Sequence, residues 1–316
     1  MRRLGPPSPL RRGAGGEGTP VRKRLRRTNT IAGLLFCSPL ILGLLAFTVL
    51  PIFASFWFSL CNYPILDKPR YVGLANYAEL AKDDQFWHSV RNTFEYVLGA
   101  IPLGMAVGLV LALLLNQQVA GIKVFRTLFF LPTLVPLVAN SVLWVRVLNP
   151  QEGLINNFLR WMHLPESWMP GWLSDEHWAM PGLILMSLWG AGGGVVLYLA
   201  ALQDVPKELY EAAELDGARP AQSFRHVTIP LISPVLLFTG VMGLIGGFQE
   251  FARAMVMTGG GPWDSTLFYC LHLFNSAFTE FRLGYASAMA WVLFAIILTA
   301  TVVVMRSSMS HVQYEQ

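Results

Sequence analysis

Charged side chains are scarce in this chain. Asp, Glu, Lys and Arg make up 13% of its 316 residues, whereas hydrophobic residues make up 54% and the mean hydropathy is +0.48. Soluble domains usually carry about 25% charged residues. This deficit excludes an ordinary soluble domain and indicates an integral membrane protein.

Cysteine is also rare. Cys37, Cys61 and Cys270 form an odd set without metal-ligand spacing, so we expect no metal site built on them. Cys37 lies in an apolar run and is typical of a small packing residue. Cys61 and Cys270 both lie near the same predicted side of the membrane, so a disulfide between them stays open.

Catalytic and nucleotide-binding motifs are absent from the sequence. It contains no G-x-x-x-x-G-K-[ST] phosphate loop and no Gly-Lys dipeptide, and its six histidines are scattered. There is no plausible nucleophile–base pair and no metal-ligand cluster. We therefore expect a chain that is not an enzyme and that holds no cofactor or metal. Nucleic acid is not an expected partner, because no aromatic platform accompanies the basic residues of the N-terminus.

Long apolar runs are what the sequence does contain. Six windows are free of charged residues: 28–66, 96–122, 127–145, 177–203, 226–249 and 283–305. A spanning helix needs roughly 20 mostly apolar residues, and the backbone in lipid must satisfy its own hydrogen bonds. The sequence therefore predicts an all-α integral membrane protein with six transmembrane helices, at about 31–60, 93–116, 125–148, 178–202, 231–257 and 284–305. We expect Pro132 and Pro136 to break the regularity of the third span. We place a shorter apolar window, 265–279, in an external loop or a re-entrant helix.

The positions of Lys and Arg predict the orientation. The N-terminal tail alone carries nine of them, and alternating loops give fifteen on one side of the membrane against six on the other. Positive residues favour the cytoplasmic side. The predicted organisation is a basic, disordered cytoplasmic tail at 1–30, a six-span domain at 31–305 and a cytoplasmic tail at 306–316. The basic tail can also bind anionic lipid headgroups.

A polar segment at 204–230 joins the fourth and fifth predicted spans on the cytoplasmic side. Residues 207–215 are good helix formers, and Gly217 can take a positive φ and end that helix. Pro220 permits a second short helix through 223–226. Because so short a segment has little core of its own, we interpret it as a docking surface for another protein. An amphipathic connector lying on the lipid remains the alternative.

The residue order in this segment resembles the signature of inner-membrane permease subunits of binding-protein-dependent ABC importers. Glu211-Ala212-Ala213, then Gly217, then Val227-Thr228-Ile229-Pro230 match that signature, with Asp216, Ala218 and Phe224 as in sugar importers. Further blocks resemble the maltose and glycerol-phosphate permease group: Val72-Gly73-Leu74, Asn76-Tyr77, Arg91-Asn92-Thr93, Asn149-Pro150, Gly153, Asn156, Thr258–Pro262 and Leu283–Ala288. Phe251-Ala252-Arg253 departs from the group, where many relatives carry Phe-Asp.

The resemblance implies a type I importer permease fold in a bacterial plasma membrane. It implies a second permease subunit, with which this chain forms a heterodimer, two ATPase subunits that hold ATP and Mg, and an external substrate-binding protein. The cargo would be a carbohydrate or a polyol phosphate. The residues implied in contact with an ATPase are Glu211, Ala212, Ala213, Asp216 and Gly217.

Polar residues in or near the spans are candidates for the substrate pathway, because charge at mid-membrane is costly. Glu250 and Arg253 occupy neighbouring positions on one predicted helix and can pair. We expect the pathway to include Asn140, Trp189, Gln249, Glu250 and Arg253. The alternatives are a purely structural ion pair, helix–helix bonding by Asn140 and packing by Trp189. A different class, a secondary transporter driven by an ion gradient, would need a buried mid-span acid, and only Glu250 and Glu95 come near that position.

Overall fold

The computed structural model describes residues 20–117 and 119–309. The parts of the predicted tails at 1–19 and 310–316 lie outside the described residues. A helix already begins at Pro20, inside the predicted disordered tail, and the last helix runs on to Met309, inside the predicted C-terminal tail.

Helices dominate the described part of the chain. Their bounds are α1 Pro20–Leu44, α2 Leu50–Ser59, α3 Ala75–Leu80, α4 Asp84–Leu115, α5 Ile122–Phe130, α6 Leu137–Val147, α7 Leu154–Trp161, α8 Glu176–Trp189, α9 Gly192–Asp204, α10 Lys207–Leu215, α11 Pro220–Ser223, α12 Ile229–Phe248, α13 Ala252–Met257, α14 Tyr269–Phe274 and α15 Leu283–Met309. Single π-helical turns at Leu45–Val49, Phe224–Thr228 and Asn275–Thr279 follow α1, α11 and α14. Short 3-10 turns occupy Leu131–Leu134, Glu166–Trp168 and Trp172–Ser174.

A single short hairpin interrupts this helical pattern within the described residues. Strand β1, Cys61–Asn62, pairs antiparallel with β2, Arg70–Tyr71, with Cys61 opposite Tyr71. The hairpin directly follows α2 and precedes α3. It lies in the first predicted external segment.

The chain divides into two compact units, Met1–Trp57 and Phe58–Gln316. In the described part of the first unit, large apolar side chains such as Phe36 and Phe47 are almost fully exposed. Exposed apolar residues on a long helix are what a lipid-facing span requires.

Four helical stretches in the described residues are long and apolar enough to cross a membrane: Ala32–Ser59, Asp84–Leu115, Pro220–Phe248 and Leu283–Ser308. Two bent helix pairs raise the number to six if each pair is one span. These stretches and pairs fall on the six charge-free windows of the sequence. The all-α architecture with up to six spans therefore agrees with the prediction.

The third predicted span is sharply broken where its prolines predict irregularity. The pair Ile122–Leu134 and Leu137–Val147 bends by 100°. Pro136 precedes α6 with φ −54° and ψ 138°, an extended conformation that a helix cannot include. Helix α6 therefore starts in a new direction.

The fourth predicted span bends by 47° between α8 and α9. The break lies at Gly190 and Ala191, just before Gly192. A Cβ on Gly192 would stand 2.4 Å from the main-chain oxygen of Phe129. Glycine is therefore required there, since α9 starts in direct contact with the backbone of α5.

The fifth predicted span, 231–257, is not one continuous helix, and this prediction was wrong. Helix α12 ends at Phe248, Phe251 takes φ −136° and ψ −52°, and α13 begins at Ala252. Gly246 and Gly247 weaken the last turn, because glycine is a poor helix former. The Glu250 carboxylate also accepts the main-chain N–H of Arg253 at 3.2 Å, which favours a new helix start over continuation.

Three buried clusters form the core of the second unit. The first contains Tyr96, Trp144, Leu183 and Phe268; the second Phe86, Phe248, Tyr269 and Met289; the third Leu115, Tyr198 and Ile232, each with further apolar neighbours. Helix α4 contributes to all three, so it is the central helix of this unit.

Polar side chains connect the first predicted external segment to the start of the last helix, α15. The Tyr285 hydroxyl donates to the Asp83 carboxylate, and Arg282 Nη2 donates to Glu79 Oε1 at 2.6 Å. The segment predicted as an external loop or re-entrant helix at 265–279 forms α14 and the π turn after it, with Tyr269 and His272 buried. It is therefore part of the packed structure.

The cysteines are free, including Cys61 and Cys270, so the disulfide that the sequence left open does not form. Cys61 is buried in β1, and burial raises the pKa of its thiol. Cys270 Sγ lies 3.7 Å from the main-chain oxygen of Phe248, and burial raises its pKa to about 11. Both thiols therefore serve as small packing groups.

Candidate functional sites: the loop at 204–230 and a cavity between helices

Helix α10 in the 204–230 loop ends as its sequence predicts. Gly217 takes φ +77°, its N–H donates to the oxygen of Glu214 at 3.0 Å, and Ala218 N–H donates to the oxygen of Ala213 at 2.9 Å. These bonds satisfy carbonyls that the helix end leaves open, and the positive φ favours glycine. The predicted turn at Gly217 is confirmed.

The five predicted ATPase-contact residues lie together on this helix end. Glu211, Ala212, Asp216 and Gly217 are exposed and Ala213 is half-buried. Nearby Leu215 has 90% of its surface exposed. The helix end therefore presents a small, partly apolar surface.

The second helix of the loop is longer than predicted. In place of a short helix, α11, a π turn and α12 run without a break from Pro220 to Phe248. The Tyr210 hydroxyl shares a hydrogen bond of 2.9 Å with Thr228 Oγ1, which fixes α10 against this long helix. The helix that carries the loop surface therefore contacts a continuous helical stretch that ends at Phe248.

A cavity of about 380 Å³ opens between α4, α8, α9 and α12. Its polar lining residues are Tyr96, Ser187, Tyr198, Thr239, Glu250 and Arg253. Much of the remaining wall is glycine, at Gly104, Gly190, Gly194, Gly243, Gly246 and Gly247. Small ligands bind in clefts of this size that combine apolar walls with a few placed polar groups.

A charged pair lies at one end of this cavity. Arg253 Nη1 forms an ion pair with Glu250 Oε2 and also donates to the Tyr96 hydroxyl at 2.5 Å. The Glu250 side chain is 8% exposed and that of Arg253 21%. Arg253 Nε is buried and has no hydrogen-bond partner among the described residues. The pairing of Glu250 with Arg253 is confirmed, although the two residues flank a helix break and do not share a helix.

The other three predicted pathway residues lie elsewhere. Gln249 faces a separate, mainly apolar cavity beside α15, on the side of Leu273 and Phe294. Asn140 is buried on α6, and Trp189 is half exposed with its ring centroid 6.0 Å from that of Trp144. The cavity thus brings together only Glu250 and Arg253 of the predicted set.

Sequence reasoning missed four hydroxyl groups in the cavity wall: Tyr96, Ser187, Tyr198 and Thr239. Each lies inside a charge-free window, where a lone polar side chain indicates a functional position because polar groups are costly in the membrane. Tyr198 and Thr239 share a hydrogen bond of 2.9 Å, and Ser187 Oγ donates to the oxygen of Ile184 at 2.6 Å. The part of the chain that the structure describes contains no cluster of three or more His, Cys, Asp or Glu that could hold a metal ion.

The helical architecture, the cavity between helices and the polar loop define a membrane permease. A model of the family described as binding-protein-dependent transport system inner membrane component matches residues 100–313. The chain belongs to this family. It is a multi-pass membrane component of an ABC transport system, and its family is one of transport permeases.

Relatives and solved structures agree with this assignment. The chain is 37% identical over 95% of its length to the probable ABC transporter permease protein YesP of Bacillus subtilis, of which 98% is covered. It is 30% identical over 90% of its length to the trehalose/maltose transport system permease protein MalF of Thermococcus litoralis, of which 95% is covered. The crystal structure of a bacterial ABC transporter that imports the acidic polysaccharide alginate matches with a TM-score of 0.79 and 22% identity, over 93% of this chain and 99% of that one. The fold is therefore that of an ABC importer permease.

Proposed function

We propose that this chain forms, with a second permease subunit, the membrane pathway of an ATP-driven importer for carbohydrates. Two ATPase subunits would bind ATP and Mg on the cytoplasmic side, and an external binding protein would deliver the sugar. Relatives named for trehalose and maltose, lactose and arabinooligosaccharides support a carbohydrate cargo.

One observation carries the proposal: an exposed helix end is hydrogen-bonded to the long helix that lines the cavity. The helix that bears Glu211–Gly217 contacts the helical stretch Pro220–Phe248 through the hydrogen bond between Tyr210 and Thr228. That stretch contributes Thr239 and Gly247 to the cavity wall. A movement of the loop would therefore be passed to the cavity wall through this helix.

The loop surface suits contact with another protein. Ala212 and Ala213 permit close approach, whereas the exposed Leu209 and Leu215 offer apolar area for burial. Burial of a leucine side chain contributes about 2 kcal/mol. The Lys and Arg distribution favours a cytoplasmic location for this loop and for both termini, where the ATPases would bind.

Reconstitution tests the proposal. The full complex of this chain, its companion permease and its ATPases is placed in liposomes, with the binding protein outside and ATP inside. We expect sugar uptake that requires ATP and persists when ionophores collapse proton and sodium gradients. Uptake that needs an ion gradient and proceeds without the ATPases would instead support a secondary transporter and would contradict the proposal.

A further inference from the structure

We propose that the Glu250–Arg253 pair makes the cavity selective for uncharged sugars and rejects sugars that carry a carboxylate or a phosphate. The inference rests on the proposed carbohydrate transport and adds the charge class of the substrate. Glu250 and Arg253 thereby act as specificity-determining residues that contact the sugar.

The first argument is the charge of the cavity wall. Glu250 and Arg253 are the only charged residues among those that line it. They have opposite charges and contact each other directly, so the wall carries no net charge. An anionic sugar would lose its hydration on entry and would find no uncompensated positive charge in return. It would also approach the carboxylate of Glu250, which repels it.

The second argument is the hydrogen-bonding capacity of the pair. Arg253 Nη1 is already engaged by Glu250 and by the Tyr96 hydroxyl. The guanidinium has further N–H donors and the carboxylate has further lone pairs, and both side chains line the cavity. A sugar hydroxyl accepts from Arg253, and a neighbouring hydroxyl of the same sugar donates to Glu250. The pair thus fits two adjacent hydroxyl groups.

The third argument is the rest of the wall. The hydroxyls of Ser187, Tyr198 and Thr239 already donate or share hydrogen bonds within the protein, and their remaining lone pairs can accept from a sugar. The glycines offer a smooth surface for the apolar faces of a sugar ring. These groups recognise neutral polyhydroxyl compounds and supply no further positive charge for an anion.

A purely structural ion pair does not account for these features equally well. A buried salt bridge contributes little stability, because desolvation opposes the attraction between its charges. The pair also lies in the cavity wall, where both of its side chains are in reach of a ligand. This position points to contact with a ligand.

The test compares matched sugars in which methyl esterification removes the charge of the carboxylate. The probes are methyl galacturonate methyl ester with methyl galacturonate, and the dimethyl ester of digalacturonate with the free acid. Binding to the complete permease–ATPase complex in liposomes is measured without the binding protein, so that only the membrane pathway selects. We expect the wild-type complex to bind the ester at least tenfold more tightly than the acid.

Variants of the pair should change this ratio. Glu250→Gln leaves the positive charge of Arg253 uncompensated, so the preference should shift toward the acid by tenfold or more. Arg253→Gln leaves the carboxylate alone and should increase discrimination against the acid. Glu95→Gln is the matched control. It also removes the carboxylate of an ion pair, but that pair, Glu95 with Arg91 on α4, is exposed and lies outside the cavity. Its ester-to-acid ratio should equal that of the wild type.

Two results would overturn the inference: a wild-type complex that binds the acid as tightly as the ester, or a ratio that stays the same in Glu250→Gln. Copurification of the ATPases and basal ATP hydrolysis show whether each variant is assembled. If Glu250→Gln fails to assemble, Tyr96→Phe provides a milder change, because it removes only the hydroxyl that accepts from Arg253. Tyr96→Phe should weaken ester binding severalfold, and unchanged binding in that variant would count against the inference. ATP-driven uptake of neutral sugars together with an unchanged ratio would refute this inference and leave the proposed transport intact, whereas absence of ATP-driven uptake would refute both.

Discussion

Thr93 and Tyr269 are 176 residues apart in the sequence, yet the main-chain N–H of Tyr269 donates a hydrogen bond of 2.8 Å to Thr93 Oγ1. Thr93 is 1% exposed, and its hydroxyl in turn donates to the oxygen of Ser89 at 2.8 Å. This bond fixes the first residue of α14 to α4, near the end of α4 that is predicted to be external. It gives the first prediction.

Thr93→Val should destabilise the protein by about 1–3 kcal/mol, because the buried N–H of Tyr269 loses its acceptor while the side-chain shape is kept. Thr93→Ser is the control, since it retains the hydroxyl. The measurement is the thermal unfolding midpoint of the purified protein in detergent. A Thr93→Val midpoint equal to that of the wild type would show that the bond contributes nothing to stability.

Gly217 gives a prediction about coupling. Its φ of +77° is strained for a β-branched residue but accessible to asparagine, and no atom lies within 4 Å of an added Cβ. Gly217→Val should therefore distort the end of α10 and reduce sugar uptake per ATP hydrolysed by tenfold or more, whereas Gly217→Asn should retain most coupling. Uptake and hydrolysis are measured in the same liposomes. Equal coupling in the two variants would rule out the backbone conformation as the cause.

Asn156 gives a prediction about the second predicted external loop. It is 1% exposed, donates to the oxygens of Pro150 and Pro170 at 2.9 and 3.1 Å, and accepts from Trp172 Nε1 at 2.7 Å. Asn156→Asp loses both donated bonds and buries a charge against two carbonyls, at a cost of about 3 kcal/mol.

Hydrogen exchange checks this loop prediction directly. Residues 149–175 should exchange faster in Asn156→Asp, while the membrane helices keep their protection. The neighbouring Asn157 is exposed, so Asn157→Asp is a matched control and should exchange like the wild type. Faster exchange in both variants would indicate a general charge effect and not the loss of the buried contacts.

His272 and Asp83 give a prediction about pH. Burial lowers the pKa of His272, although Asp83, Glu280 and Asp264 raise it and Arg282 lowers it further. Its Nε2 lies 3.8 Å from Asp83 Oδ2. Burial of Asp83 opposes ionisation, but hydrogen bonds from Tyr285 and from the N–H groups of Gln85 and Phe86, with the nearby His272, outweigh it and hold the pKa of Asp83 below its usual value.

The two shifts act in different pH windows. Unfolded His272 takes up a proton below its usual pKa of about 6.5, whereas the folded protein does so only at lower pH, so stability falls as the pH drops below about 6.5. The contribution of Asp83 is present above about pH 4 and is lost below it. His272→Gln should remove the first decline and leave the second.

Unfolding midpoints between pH 8 and about pH 2 test this difference, because that range covers both declines. The exposed His177 is the control site, because His177→Gln leaves the buried residue in place and should keep the wild-type pH profile. A His272→Gln profile parallel to that of the wild type between pH 7 and pH 5 would contradict the assignment.

Local features of the chain could be predicted from its sequence. The apolar windows matched helices or bent helix pairs, Pro136 matched a break, and Gly217 took the positive φ expected of it. Each of these depends on hydropathy or on the conformational preferences of a few adjacent residues. The ion pair of Glu250 and Arg253 was also predicted, because the partners are only three positions apart, although they do not share a helix.

The composition of the cavity could not be predicted in the same way. Gln249 precedes Glu250 directly, but the helix ends at Phe248 and the two side chains enter different cavities. A regular helical projection through 231–257 cannot anticipate this change of direction. Tyr96, far away on α4, completes the charged site only because α4 packs against the broken helix.

The sequence by itself thus determined the membrane class, the positions of the apolar segments and the turn in the loop at 204–230, since these follow from local hydropathy and backbone preference. Only the tertiary structure decided which polar groups share the cavity. Bends of 100° and 47° and the end of α12 at Phe248 set the directions of the helices, and those directions depend on packing between residues far apart in the chain.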